Sequence, residues 1–136
     1  LNVVDFGCGS GILAITSACL GAEHIQAVDI DPQALEVTRA NAEKNQVSAR
    51  IELLLANTDV LRAADLILAN ILAAPLIALA PALSAVLNPG GTLLLSGLLF
   101  DQVDEVFEAY RGVCTLRTTQ SRDGWALIEC FREFTR

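Results

Sequence analysis

Asp5-Phe6-Gly7-Cys8-Gly9-Ser10-Gly11 is the stretch of this chain best suited to chemistry. It follows the apolar run Leu1 to Val4 and leads directly into Ile12-Leu13-Ala14-Ile15. A buried strand, a glycine-rich turn and a helix in that order make a cradle for a nucleotide cofactor. Gly7 and Gly9 let the backbone turn sharply and approach a ligand where a Cβ would collide. Gly11 lets the following helix pack tightly. Further on, Ile25-Gln26-Ala27-Val28-Asp29-Ile30-Asp31-Pro32 is a short apolar strand ending in carboxylates. It lies about 20 residues beyond the turn, where a doubly wound fold binds ribose hydroxyls. Asp29 comes first off the strand and is the expected acceptor for both hydroxyls, with Ile30 then lying against the adenine face. Asp31 before Pro32 reads instead as a helix N-cap with proline at the first helical position.

The spacing separates two cofactor classes. A dinucleotide fingerprint, G-x-G-x-x-G/A, asks for a small residue at position 12, and position 12 is Ile. The third glycine comes one residue early. With Asp5 in front, the resulting G-x-G-x-G resembles the first motif of class I S-adenosylmethionine-dependent methyltransferases. That resemblance implies S-adenosylmethionine as cofactor, held by Asp5, Gly7, Gly9, Gly11, Asp29, Ile30 and Asn70. Ala69-Asn70-Ile71-Leu72 lies where amino-methylating members of the superfamily carry an Asn-Pro-Pro-Tyr type tetrapeptide. An Asn there can accept hydrogen bonds from a substrate amino group through its side-chain oxygen, assisted by the next backbone carbonyl. Those bonds would aim a nitrogen lone pair at the sulfonium methyl, and positioning would supply much of the acceleration. Asn70 is therefore the expected catalytic residue; the bland alternative is a cap on the following helix.

These residues need elements to hold them. Ser10 to Leu20 and Pro32 to Asn45 read as the first two helices. Ile51 to Leu55 and Ala64 to Ala69 read as the third and fourth strands. Ala73 to Leu87 is an apolar helix that Pro81 should kink. Asn88-Pro89-Gly90-Gly91 reads as a turn before a fifth strand, Thr92 to Ser96. Asp101 should cap a helix to Tyr110 that buries Val103, Val106 and Phe107. Val113 to Thr119 and Trp125 to Phe131 bracket Arg122-Asp123-Gly124 as an antiparallel hairpin. The expectation is an α/β, doubly wound, Rossmann-like sheet of seven strands, mostly parallel, with a C-terminal antiparallel hairpin. Its ligand site should lie at the carboxyl ends of the strands, at the switch point between the first and fourth.

Taken together, the glycine turn, Val28-Asp29-Ile30-Asp31-Pro32 and Ala69-Asn70-Ile71-Leu72 resemble the ribosomal protein L11 methyltransferase family. Asn41-Ala42-Glu43-Lys44-Asn45, Pro89-Gly90-Gly91 and Leu95-Ser96-Gly97 extend the resemblance over essentially the whole chain. It implies methyl transfer to lysine ε-amino groups and an N-terminal α-amino group of a basic ribosomal protein, with Gly7, Asp29 and Asn70 contacting the cofactor. Family members also carry an N-terminal substrate-recognition domain. Residues 1–136, which begin at the first strand, are therefore expected to be the catalytic domain alone.

Composition supports one domain: 136 residues, 53% hydrophobic and only 5% aromatic. The apolar stretch around positions 66 to 87 is interrupted by Asn70, Pro75 and Pro81, so no membrane association is expected, and no basic leader opens the chain. A cytoplasmic protein is the expectation. Cys8, Cys19, Cys114 and Cys130 show no C-x-x-C pairing and the chain has a single His, so no metal site is expected and the thiols read as reduced. A net charge of −7 suits a basic protein substrate and argues against direct nucleic-acid binding. The alternatives are a class I methyltransferase acting on a glutamine amide, RNA or a small molecule, a nicotinamide-dependent oxidoreductase, or a non-catalytic cofactor-binding module.

Overall fold

The computed structural model describes residues 1–133. The chain divides into two compact units, Leu1–Ala64 and Asp65–Arg136. The class is the expected α/β, with parallel strands early in the chain and antiparallel strands at its end.

In the first unit, β1 (Asn2–Phe6), β2 (His24–Asp29) and β3 (Ile51–Leu55) lie in the order β3-β2-β1, all parallel. Val3, Val4 and Phe6 on β1, and Ile25, Ala27 and Val28 on β2, are buried in near-continuous runs. Strands covered on both faces read that way, whereas half-exposed strands alternate. Helix α1 (Ile12–Cys19) buries Ala14, Ile15 and Ala18; helix α2 (Pro32–Lys44) buries Leu35, Thr38 and Ala42. The three- and four-residue spacings keep each set on one helical face. Gln26 is buried in mid-strand with both polar atoms of its side-chain amide hydrogen-bonded. It donates to the Arg62 carbonyl at 3.0 Å and accepts from the Arg62 amide at 2.8 Å, clasping the segment after β3 to β2.

The second unit contains β4 (Ala64–Asn70), β5 (Leu87–Leu99), β6 (Thr115–Arg122) and β7 (Trp125–Phe131), in the order β4-β5-β7-β6. Strand β7 is antiparallel to both its neighbours. The hairpin turns on Asp123 and Gly124 with φ of 53° and 83°, the paired positive values of a two-residue loop whose twist matches its strands. Four expectations need correction here. The apolar stretch after β4 is two helices, α3 (Ala73–Ala78) and α4 (Ala80–Val86), because Pro81 falls in the first turn of α4 and the chain breaks at Leu79. Asn88 to Gly91 is not a free turn: the Gly90 amide donates to the Arg132 carbonyl, and the Arg132 amide donates to Gly91, so backbone pairing draws it into β5. Asp101 caps nothing. Helix α5 (Val103–Tyr110) is preceded by a 3-10 turn, and Gln102 reaches back to accept from the Leu99 amide at 2.8 Å. On α5, Phe107 is only half-buried, and Tyr110 fills the core instead, its hydroxyl donating to the Leu76 carbonyl at 2.7 Å.

Candidate functional site

In the first unit the glycine turn is pinned to β2 by backbone hydrogen bonds and to α2 by side chains that donate to its carbonyls. The Gly7 and Cys8 amides both donate to the Val28 carbonyl, at 2.8 and 3.0 Å. Thr38 Oγ1 donates to the Gly9 carbonyl at 3.0 Å, and Asn41 Nδ2 donates to the Ser10 carbonyl at 2.9 Å. The glycines of the turn are used differently. A Cβ on Gly11 would meet Thr38 Cγ2 at 2.6 Å, so glycine lets α1 sit against α2. A Cβ on Gly9 would meet nothing within 4 Å, and its φ is 56°. Gly9 therefore leaves its backbone bare toward open space.

Asp29 stands at the end of β2, half-buried, and binds backbone with both carboxylate oxygens. Oδ2 accepts from the Gly9 amide and Oδ1 from the Asp31 amide, each at 3.0 Å. A carboxylate oxygen has two lone-pair sites, so each keeps capacity for one further donor. The carboxylate is thus locked to the turn and can still accept from a vicinal diol. Ile30, next along, is 67% exposed, an apolar side chain held at the surface beside that carboxylate. Asp31 is the N-cap the sequence suggests, its Oδ1 accepting from the Gln33 amide at 2.9 Å.

Asp5 behaves otherwise. It is 1% exposed, and Oδ2 accepts from the Ala14 amide in the first turn of α1 at 3.0 Å. Burial raises its pKa to about 6, against the lowering effect of that hydrogen bond, and the negative charge of Asp29 adds to the rise. A carboxylate so enclosed holds the start of α1. Cys8 is buried against Thr38, and burial pushes its thiol up to about 11, the opposite of an activated nucleophile.

In the second unit, Asn70 ends β4 and is exposed. The cap alternative is not realised: α3 starts at Ala73, its N-cap is Leu72, and no side chain caps it. What holds Asn70 is β5. The Ile71 amide donates to the Ser96 carbonyl at 3.1 Å. A Cβ on Gly97 would come within 2.7 Å of the Ile71 carbonyl oxygen and 2.9 Å of Asn70 Oδ1. Asn70, Ser96, Arg122, Trp125 and Leu127 are among the residues lining a cleft of about 870 Å³. That volume is in the range of small-molecule sites.

The model of the family described as ribosomal protein L11 methyltransferase matches residues 1–133. The chain belongs to the ribosomal protein L11 methyltransferase family. A member from Hahella chejuensis is 50% identical over 127 residues, which cover 93% of this chain and 44% of that protein. The crystal structure of a ribosomal protein L11 methylase from Lactobacillus delbrueckii subsp. bulgaricus is 32% identical with a TM-score of 0.85, covering 98% of this chain and 70% of that one. An RNA methyltransferase from Salinibacter ruber, solved in complex with S-adenosyl-L-homocysteine, shares the fold at 18% identity and a TM-score of 0.78. The chain spans under half the length of the curated family members it matches.

Sequence reasoning brought Asp5, Gly7, Gly9, Gly11, Asp29 and Ile30 to the first unit's turn and strand end, where the structure has them, and put Asn70 at the end of β4. It passed over the residues that support them. Thr38 was read only as a helical core position, although its hydroxyl holds the turn. Gly97 and Ser96 entered only as part of a family-like string, and Arg122 and Trp125 only as neighbours of a hairpin turn. The available signal was that Ser96-Gly97 closes a predicted strand, just as Asn70 does.

Proposed function

We propose that this chain is the catalytic domain of a methyltransferase that uses S-adenosylmethionine and acts on lysine ε-amino and N-terminal α-amino groups of ribosomal protein L11. The observation that carries the reading is the Asp29 carboxylate, fixed by two backbone amides yet retaining acceptor capacity, beside the open approach to Gly9. These residues fit an adenosyl group. Asp29 would accept from the two ribose hydroxyls, Ile30 would cover an adenine face, and Gly7 and Gly9 would let backbone come close. Gly11 and the enclosed Asp5 would serve by holding α1 and the turn in place. When bound, S-adenosylmethionine supplies an electrophilic methyl on a sulfonium.

The acceptor side falls to Asn70. Its amide oxygen is suited to receive a hydrogen bond from an amine N–H, which orients the nitrogen lone pair. A lysine ammonium has no lone pair at neutral pH, its reference pKa being about 10.4, so the proton must leave first. The net charge of −7 suits a basic ribosomal protein partner, and the cytoplasm is the setting that such a substrate implies.

The test is a calorimetric titration of the chain with S-adenosylhomocysteine, NADH and ATP, followed by a methyl-transfer assay on ribosomal protein L11. Tighter binding of S-adenosylhomocysteine than of the other two is expected, with Asn70→Ala lowering turnover per folded molecule. Preference for NADH would overturn the reading in favour of an oxidoreductase.

A further inference from the structure

The cleft of the second unit has an unusual electrostatic lining for a site that would take a cation. Among the described residues lining it, Arg122 carries the only charge. The other polar side chains, Asn70, Ser96, Gln120 and Ser121, are neutral. The carboxylates closest to the wall in sequence, Asp101 after β5, Asp123 in the hairpin turn and Glu129 on β7, are not part of it. Among the described lining residues, an ammonium entering this cleft finds neutral acceptors and a guanidinium but no carboxylate. A like charge disfavours the protonated amine, and an arginine keeps its charge at any working pH. The apolar part of the wall is ample: Leu72, Leu127 and Trp125, the last 52% exposed, can cover an aliphatic stem.

We infer that Arg122, on the wall of this cleft, is a specificity-determining residue that discriminates against the ammonium form of the acceptor. The inference rests on the methyl-transfer reading and deepens it, because it says how the acceptor site favours the amine that has already lost its proton. The alkylammonium gives its proton to solvent water, and the neutral amine, lone pair intact, then enters; no side chain of the cleft has to take the proton. The indole face of Trp125 on its own attracts cations. Arg122 is therefore the charge that decides the preference, and changing it should reverse the selectivity.

Trp125 is the single tryptophan of the chain, so its fluorescence reports on the cleft directly. The full chain is titrated with n-butylamine between pH 7 and 10, and with tetramethylammonium chloride as a permanent cation. In the wild type, apparent affinity for butylamine should rise about tenfold per pH unit, following the neutral fraction of an amine with a pKa near 10.4. In Arg122→Gln and Arg122→Glu the affinity at pH 7 should increase, at least tenfold for Glu, with a flatter pH profile and tighter tetramethylammonium binding. A wild-type affinity that does not change with pH, the absence of any fluorescence response, or variants indistinguishable from wild type would each overturn the inference. S-Adenosylhomocysteine titrated into the same samples keeps the two readings apart. Normal cofactor binding with a flat amine profile removes the amine site and leaves the methyltransferase standing. A pH-dependent amine response without cofactor binding does the reverse.

Discussion

The two units hold their key side chains by opposite means. In the first, acidic side chains grip backbone: Asp5 takes the Ala14 amide, and Asp29 takes those of Gly9 and Asp31. In the second, backbone fixes the chain beside a neutral side chain: the Ile71 amide is bonded to Ser96, and Gly97 leaves room for Asn70 where a Cβ would collide. Charge-assisted bonds are the stronger kind, so a turn of three glycines that would otherwise sample many shapes is locked by them. Around Asn70, the described residues lining the cleft include no carboxylate. One region is organised by charge-assisted hydrogen bonds, the other by close approach of main chain that only glycine permits.

That contrast breaks first at the glycines. Gly97→Ala should lose roughly 2–5 kcal/mol of stability, since its Cβ collides with main-chain atoms that cannot move aside and its φ is 88°. Urea unfolding measures this, and a loss below about 1 kcal/mol would remove steric contact as the support of Asn70.

Asp5→Asn comes next, and it bears on the electrostatic side. The folded pKa of about 6 lies above the reference 3.8, so the folded state binds the proton more tightly. The stabilisation is fully present below the unfolded value and is lost as pH rises through the folded one, roughly 3 kcal/mol in all by linkage. Asparagine keeps an acceptor for Ala14 and does not titrate. Wild type should therefore weaken between pH 4 and 6 relative to the variant, and a constant gap between their unfolding curves across that window would refute the assignment.

Asp29→Ala should cost roughly 1.5–3 kcal/mol of S-adenosylhomocysteine affinity, about ten- to a hundredfold by calorimetry, because a charged acceptor is lost. Equal affinities in variant and wild type would leave Asp29 as a brace for the turn and nothing more.

The smallest effect on the fold belongs to Gly9→Ala. Its Cβ meets nothing, so only the left-handed backbone penalty of about 1 kcal/mol applies. Its cofactor affinity should nevertheless drop by more than the stability loss accounts for. A variant that binds S-adenosylhomocysteine normally would mean that no ligand uses the space above Gly9.

Much of the first unit was legible from its residues, because its logic is local. Strand, turn, helix and the acidic residue about 20 positions on all lie along a short piece of chain, and their order alone prescribes the cradle. The N-cap at Asp31 was readable for the same reason, since it acts within one helical turn, whereas Pro81 reads as a kink in one helix and instead stands in the first turn of a second. Asp101 misled, since a carboxylate just ahead of a helical pattern looks like a cap until a 3-10 turn intervenes. Asn88-Pro89-Gly90-Gly91 misled in the other direction. Its turn composition is genuine, but pairing with Arg132, far along the chain, overrode it.

By itself, the order of amino acids determined the α/β class, the glycine turn, Asp29 as the residue following it at the right interval, and Asn70 at a strand end. Tertiary structure alone decided that Asp5 is buried against the start of α1, that Thr38 and Asn41 brace the turn, that Gly97 lies close behind Asn70, and that Arg122 and Trp125 share a cleft with it. The division has a physical cause. Dihedral preference and periodicity act over a few residues and leave a trace in the spacing, whereas contact between distant segments is set by packing and leaves none.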